Sequence, residues 1–303
     1  MDVIITGGTG FIGRGLTRRS MAAGHNVIIL TRDPGRYAAD TREGVTYAKW
    51  DGHTSEGWGR YVSGGAAVVN LAGANIAGGR WTPEYKDKII RSRLAAGGAV
   101  VEAFAAAPSR PAALIQASAV GYYGSRGDDE LDESAGPGEG FLADVCRQWE
   151  GSTAAVEDMG VRRVVVRSGL VLARKGGAFP RLVKPFRYFA GGPLGGGRQW
   201  FSWIHYDDEV AAIHYLLEND RAAGPYNLCA PAPLRNRDLA RSVGRKLGRP
   251  AWWPTPRFAL RMALGEMADE LLLASQRARP EKLSAAGFEF GYTDFEAALP
   301  DLL

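Results

Sequence analysis

Apolar residues fall in short dense runs over the first half of the chain, at positions 3–6, 27–31, 45–50, 66–71, 113–118 and 163–172. The runs are rich in Val and Ile and hardly alternate, as expected of strands buried on both faces. Between most of them apolar positions recur at helical spacing, most clearly over residues 11–23, 83–107 and 141–159. Strand alternating with helix requires a parallel sheet covered on both sides. The pattern predicts an α/β fold, a Rossmann-type doubly wound parallel sheet.

The alternation stops after about Leu172. A segment rich in Gly and aromatics, FRYFAGGPLGGGRQWFSWIHYDD, leads into a helix predicted over residues 207–218. From Ala230 onward Pro, Arg and short helical patterns dominate, at 234–247 and 257–274. Residues 1–172 therefore read as the nucleotide-binding domain, with further sheet contributions from about 200–228. Residues 173–303 read mainly as a small C-terminal lobe on the substrate side, over the carboxyl ends of the strands, where open sheets bind ligands. Trp200, Phe201 and Trp203 follow a flexible Gly-rich stretch and read as a substrate lid. Trp252 and Trp253 read as packing inside the lobe.

The chemistry begins at TGGTGFIG, residues 6–13, between the first strand and the first helix. Gly8-x-Gly10-x-x-Gly13 fits the dinucleotide fingerprint, and Gly7, Gly10 and Gly13 fit a related three-glycine spacing. One glycine permits the tight turn, the next lets backbone approach a pyrophosphate, and Gly13 lets helix pack on strand. The helix N-terminus adds free N–H groups and positive dipole. An acidic residue that binds the ribose hydroxyls is expected at the end of the second strand. Thr31 and Arg32 stand there instead, with Arg36 nearby. An arginine at this point pairs with a 2′-phosphate, so NADP(H) is expected over NAD. Asp33 speaks for NAD, but lies past the strand and reads as the start of an Asp-Pro-Gly turn.

Composition narrows the picture. The chain has 303 residues, 46% hydrophobic and 23% charged, enough for one large α/β domain and a smaller lobe. Its net charge of +4 suits an anionic ligand. No run of Lys and Arg is interleaved with aromatics, so no nucleic-acid partner is expected. Cys146 and Cys229 give neither a disulfide framework nor metal-ligand spacing, and no metal site is expected. No apolar run approaches the ~20 residues of a membrane span, so no membrane partner is expected. The opening MDVIIT reads directly as a strand and leaves no room for a leader. A reducing, cytoplasmic location is the expectation. The acidic run GDDELDES, residues 127–134, lacks a calcium-loop pattern and reads as a solvated loop.

With TGGTGFIG, Trp50-Asp51 after the third strand, Asn70-Leu71-Ala72-Gly73 after the fourth and Ser118 after the fifth, the chain resembles the extended short-chain dehydrogenase/reductase superfamily. The blocks NLAGANI, RWTPEYKDKIIRSRL, SAVGYYG, FLADVCRQWE, VVVRSGLVL, FSWIHYDD and LLASQRARPEKLSAAGFEF are similar to its epimerase-family, SDR39U1-like subgroup, with a DUF1731-type segment over 249–303. The resemblance implies bound NADP(H) and a small-molecule substrate in a cleft between domain and lobe. It implies pyrophosphate contacts from Gly7, Gly10, Phe11, Ile12 and Gly13, and adenosine-side contacts from Thr31, Arg32 and Asp51. Leu71 and Ala72 would line the nicotinamide ribose, Arg93 would reach back to the cofactor, and Leu170 and Val171 would flank the nicotinamide. Relatives also suggest a homodimer through the two long helices.

In that superfamily a Ser or Thr orients the substrate oxygen, a Tyr moves the proton, and a Lys one helical turn on binds ribose and lowers the tyrosine pKa. Ser118 supplies the first. Alignment on Trp149-Glu150 places Leu142 at the tyrosine position and Cys146 at the lysine position, and neither can do the work. Three replacements stand open. Tyr122 or Tyr123 could donate a proton, against a plainer reading as aromatic packing. His205 could titrate near neutrality, against a plainer reading as a scaffold at a helix N-cap. Cys146 as nucleophile competes with ordinary mid-helix burial. The sequence thus supports an oxidoreductase or epimerase-like enzyme with a non-standard proton donor. The alternative is a non-catalytic NADP(H)-binding sensor or scaffold.

Overall fold

The Val/Ile runs become strands because both sheet faces are covered, and β-branched side chains fill that environment well. The computed structural model describes residues 1–40 and 43–303. In chain order its elements are β1 (Asp2–Thr6), α1 (Phe11–Ala22), β2 (Asn26–Thr31), β3 (Val45–Lys49), β4 (Ala67–Asn70), α2 (Pro83–Ala105), β5 (Ala113–Ala119), β6 (Glu130–Leu131), α3 (Phe141–Gly151), α4 (Ala155–Asp158), β7 (Arg162–Ser168) and β8 (Leu170–Leu172). There follow α5 (Phe179–Arg187), β9 (Trp200–Phe201), β10 (Trp203–His205), α6 (Tyr206–Glu218), β11 (Gly224–Leu228), β12 (Leu234–Arg235), α7 (Asn236–Leu247), α8 (Arg257–Leu264), β13 (Arg277–Ala278), α9 (Glu281–Ala285) and α10 (Phe295–Leu302).

Seven strands form one parallel sheet in the order β11-β7-β5-β4-β1-β2-β3. The order reverses between β1 and β4, which opens a crevice at their carboxyl ends. The two-residue side-chain period divides the core. Val3 and Ile5 of β1 pack with Leu16 of α1 and Ala212 and Ile213 of α6, while Ile4 packs with Ala96, Ala99 and Val100 of α2. The doubly wound α/β architecture is as the pattern predicts.

The finer boundaries need correction. The run 163–172 is two strands, because the chain turns at Gly169, whose N–H donates to Leu228 O. A Cβ there would lie 2.5 Å from Ser202 O. The helical pattern 141–159 is α3 and α4, broken after Gly151 where the chain meets α2. Only a glycine fits at position 97, since a Cβ would lie 2.0 Å from Ser152 Oγ. The acidic run is not wholly solvated: it holds β6, and Glu133 is buried, accepting from Asn227 N and Lys282 N.

The aromatic assignments in the lobe are reversed. Trp203 and Phe201, expected in a lid, are buried in a cluster with Leu172, Phe295 and Leu299. Trp252 and Trp253, expected inside the lobe, are 80% and 73% exposed. The Gly-rich stretch explains both. Gly192 lies directly against the Trp253 backbone, where a Cβ would come within 2.0 Å of its carbonyl oxygen, so the stretch is packed rather than free. Among the described residues no helix is long and apolar enough to cross a membrane.

Candidate functional site

The turn between β1 and α1 is built for close approach. Gly7 has φ of +69° and its N–H neighbour Gly10 closes the turn onto Gly7 O at 2.9 Å. A Cβ on Gly13 would lie 2.4 Å from Gly7 O and 2.6 Å from Gly8 Cα, so any larger residue would push the helix off the turn. The amides of Phe11, Ile12 and Gly13 begin a 12-residue helix with no acidic residue in its first turn. These donors have no intrahelical acceptor and carry the positive end of the dipole. The cradle fits a dinucleotide pyrophosphate on its own geometry.

At the end of β2, Thr31 is half-buried and Arg32 exposed. Asp33 is turned into its own loop, where Oδ1 accepts from Arg36 N at 3.3 Å, as in an Asp-Pro-Gly-Arg turn. Among the described residues neither Arg32 nor Arg36 forms an ion pair, which leaves two guanidinium groups beside a withdrawn carboxylate. Asp51 is likewise engaged locally. Its Oδ1 accepts from His53 N and Thr54 N and its Oδ2 from Thr54 Oγ1, and the two backbone bonds hold its pKa below the usual carboxylate value. It shapes the loop above the third strand with its carboxylate already used.

The chain after β4 lies against the glycine turn. Ala72 N donates to Thr6 Oγ1, and a Cβ on Gly7 would meet Leu71 O at 3.0 Å. Arg93 comes up beneath this loop from α2. Its Nη1 donates to Ala74 O and Ile89 O, its guanidinium sits 4.7 Å from the Trp149 ring, and it is buried. Its Nε has no partner, no carboxylate pairs with it among the described residues, and burial lowers its pKa. An unpaired buried cation with a free donor fits an electron-rich ligand at the floor of the crevice. On the far side Leu170 and Val171 of β8 run parallel to β10, and a Cβ on Gly177 would touch both the Phe11 ring and Val171 O.

A hydrogen-bonded cluster stands at the carboxyl end of β5. Ser118 Oγ donates to Glu150 Oε1 at 2.7 Å. Arg167 grips the same carboxylate with two bonds of 2.9 Å, Nε to Oε1 and Nη2 to Oε2. Its Nη1 donates to Tyr123 Oη, which in turn donates to Asn227 Oδ1. Burial opposes the Arg167 charge, but the bonds and charge of Glu150 outweigh it and raise the pKa. Tyr123 is fully buried, and burial pushes its phenol up to about 12, a poor acid at neutral pH. Tyr122 lies with its ring centroid 3.6 Å from the Arg167 guanidinium, and its hydroxyl has no protein partner among the described residues. The structure thus brings Ser118, Tyr122 and Tyr123 together.

Glu150, Arg167 and Asn227 are members that the sequence analysis does not single out. The available signal was Arg167, a lone charge inside the apolar run VVVRSGLVL. His205 has its partners elsewhere: Nδ1 accepts from Asp207 N, Nε2 lies 3.1 Å from Asp301 Oδ2, and the Tyr292 ring lies tilted against it with centroids 3.9 Å apart. It is the N-cap of α6.

The positions of the missing Tyr and Lys are filled. Leu142 Cβ and Cys146 Sγ lie 3.6 and 3.8 Å from where a Cβ of Gly121 would be, so both pack beneath the turn 120–123. Burial pushes the Cys146 thiol up to about 11, which keeps it protonated and unreactive. A cavity of about 270 Å³ opens beside them, lined by Gly121, Ser125, Leu142, Arg257, Glu270 and Gln276 among others. Across the sheet end Glu209 is fully buried. Ser168 Oγ donates to its Oε1, Oε2 has no partner, and burial raises its pKa to about 8. A different triad, His25, His214 and Glu218, brings its ligand atoms within 4.8 Å, although no metal site was expected. It lies at the amino ends of the strands, away from the crevice.

Comparison with known proteins is specific. The model of the NAD dependent epimerase/dehydratase family matches residues 3–229, and that of a domain of unknown function, DUF1731, matches residues 255–302. The chain is 42% identical to the chloroplastic epimerase family protein SDR39U1 homolog of Arabidopsis thaliana, over 99% of this chain and 86% of that one. It is 39% identical to the epimerase family protein YfhF of Bacillus subtilis, over 100% and 98%. Among solved structures, that of the human epimerase family protein SDR39U1 with NADPH superposes with a TM-score of 0.86, at 33% identity, covering 100% of this chain and 99% of that one.

Proposed function

Because the chain belongs to the NAD dependent epimerase/dehydratase family, we propose that it is an NADP(H)-dependent oxidoreductase or epimerase-like enzyme acting on a carbonyl or hydroxyl group of a small molecule. The glycine cradle, Arg32, Arg36 and Arg93, none in an ion pair among the described residues, support NADP(H), as does the NADPH in the solved human relative. When bound, NADP(H) supplies or takes up the hydride.

The observation that carries the reading is the bond from Ser118 to Glu150. With its proton committed to the carboxylate, Ser118 Oγ offers lone pairs to a substrate hydroxyl. A proton leaving that hydroxyl passes to Ser118 Oγ as the proton of Ser118 passes to Glu150 Oε1. Arg167 holds the receiving carboxylate in position and keeps it ionised until the proton arrives. The Tyr122 phenol, stacked on the same guanidinium, is the second proton carrier. The relay takes over what a Tyr–Lys pair does elsewhere in the superfamily.

A second reading, a non-catalytic NADP(H) sensor, draws on the apolar packing of Leu142 and Cys146. One experiment separates the two. NADPH should bind at least about ten times more tightly than NADH, and Arg32→Ala should remove the difference. With NADPH and a panel of carbonyl compounds, turnover should appear and fall in Ser118→Ala by on the order of 10²-fold or more. NADPH binding without turnover across the panel favours the sensor. Turnover indifferent to Ser118→Ala refutes the relay.

A further inference from the structure

The lobe exposes a group of large apolar side chains that a monomer has no reason to leave in water. Tyr188, Phe189, Trp252, Trp253, Phe258 and Met262 are each between 62% and 80% exposed. They come from two segments about sixty residues apart that the fold zips together. Gly195 N donates to Thr255 O, Thr255 N donates to Pro193 O, and the Arg249 guanidinium lies 4.3 Å from the Phe189 ring. Phe258 and Met262 follow one turn apart on α8, and so face one way. Among the described residues Phe189 is the one non-glycine with positive φ, +60°, a conformation that bulky residues rarely adopt.

Charge is segregated onto the same segments. Residues 169–206 carry six Lys and Arg and no Asp or Glu, and residues 239–265 carry another six and none. Set against a net charge of +4 for the whole chain, this leaves the remainder net acidic. Lys184, Arg187, Arg249 and Arg257 are exposed and in no ion pair among the described residues. A cavity of about 290 Å³ opens beside Tyr188, with Arg174, Lys184 and Arg187 in its wall and Leu302 and Leu303 opposite.

We propose that this face docks on an anionic phospholipid surface. The aromatic and Met side chains enter the headgroup region, and the lysines and arginines around them engage lipid phosphates, with the cavity beside Tyr188 large enough for one. Trp, Tyr and Phe ringed by long cationic side chains suit the boundary between water and acyl chains. A bilayer supplies negative charge and apolar contact without requiring a complementary shape. A second copy fits poorly, because a two-fold contact through this face would bring like charges together. The contact lies on the surface and needs no spanning helix. Arg257 of this face also lines the cavity of about 270 Å³ beside Leu142.

The test uses the full chain with vesicles of phosphatidylcholine, with and without about one-third phosphatidylglycerol. Of the eight tryptophans only Trp252 and Trp253 are exposed, so their emission reports the contact. The expected result is cosedimentation with the anionic vesicles only, a blue shift of emission, and release by high salt. Each basic residue at such a surface strengthens binding roughly fivefold, so Lys184→Glu/Arg187→Glu/Arg249→Glu should weaken it more than about 100-fold. Trp252→Ser/Trp253→Ser, with both rings already in solvent, should fold normally and abolish both the shift and most binding. Failure to bind anionic vesicles, equal binding to neutral ones, or binding indifferent to the tryptophans overturns the proposal. So does a dimer that the tryptophan variant dissolves, or tryptophan-independent binding to poly-glutamate, which would give the face to a second copy or to an acidic protein.

Discussion

Glu209 offers the sharpest quantitative check on the environment at the end of the sheet. Its carboxyl is fully buried, one oxygen bonded by Ser168 and the other without a partner, and burial raises its pKa from 4.5 to about 8. In the unfolded chain it ionises near the ordinary value, so between the two values the unfolded state has lost a proton that the folded state keeps. The stabilisation from the neutral carboxyl is complete below the unfolded value and is lost as pH rises through the folded one. Within that window each pH unit costs about 1.4 kcal/mol. From about pH 5.5 to pH 7.5 the loss is about 2–3 kcal/mol. Glu209→Gln keeps the shape and the acceptor for Ser168 but cannot ionise. Urea denaturation of both proteins at several pH values should show the variant gaining on wild type by that amount across the interval. Subtracting the two curves cancels the carboxyls Asp208 and Glu133, which burial also raises. Parallel curves would mean that Glu209 is ionised in the folded protein and that its environment is polar, contrary to the reasoning.

Other expectations are as direct. Tyr123→Phe should cost about 1–3 kcal/mol in denaturant stability, because Asn227 and Arg167 both lose a buried partner. Tyr122→Phe should leave stability within about 0.5 kcal/mol and lower turnover instead; the opposite pattern would exchange their roles. Gly13→Ala should abolish nucleotide binding in a thermal-shift assay, since its Cβ would enter Gly7 O and Gly8 Cα. A variant that still binds with wild-type affinity would show the turn to be pliant. Both cysteines are buried, and burial raises both thiol pKa values, so neither should react with a thiol reagent until the protein unfolds.

The sheet and its crevice were legible because they follow from local pattern: β-branched runs, helical periodicity and a glycine turn with few conformational alternatives. What escaped depends on partners distant in sequence. α5 carries Pro180 and Pro185, and its apolar positions make sense only against Phe295 and Leu299 of a helix a hundred residues later. β11, the edge strand GPYNL, falls within the sheet contribution expected from about 200–228, but it has no β-branched residue, and its bounds are set by β7 beside it. The tryptophans were misassigned because a ring's burial is set by what covers it, and no local spacing records that. The Ser118 cluster was half legible. Ser118 and the two tyrosines carry a motif, whereas Glu150 and Arg167 reach them from a helix and a strand whose pairing only the fold supplies.

The packing of Leu142 and Cys146 under the turn at Gly121 also bears on what could be restored by design. Tyr and Lys introduced there one at a time would meet two different surroundings. A tyrosine at 142 would stand with its Cβ 3.6 Å from the place of a Gly121 Cβ, against the turn that holds Tyr122 and Tyr123, and its ring would run into the cavity that the two positions line. A lysine at 146 would set an ammonium in a buried corner where the charge of Arg93 is already felt. The site is closed around a different set of side chains, so a Tyr–Lys pair would have to enter together with changes to the charge at Arg93.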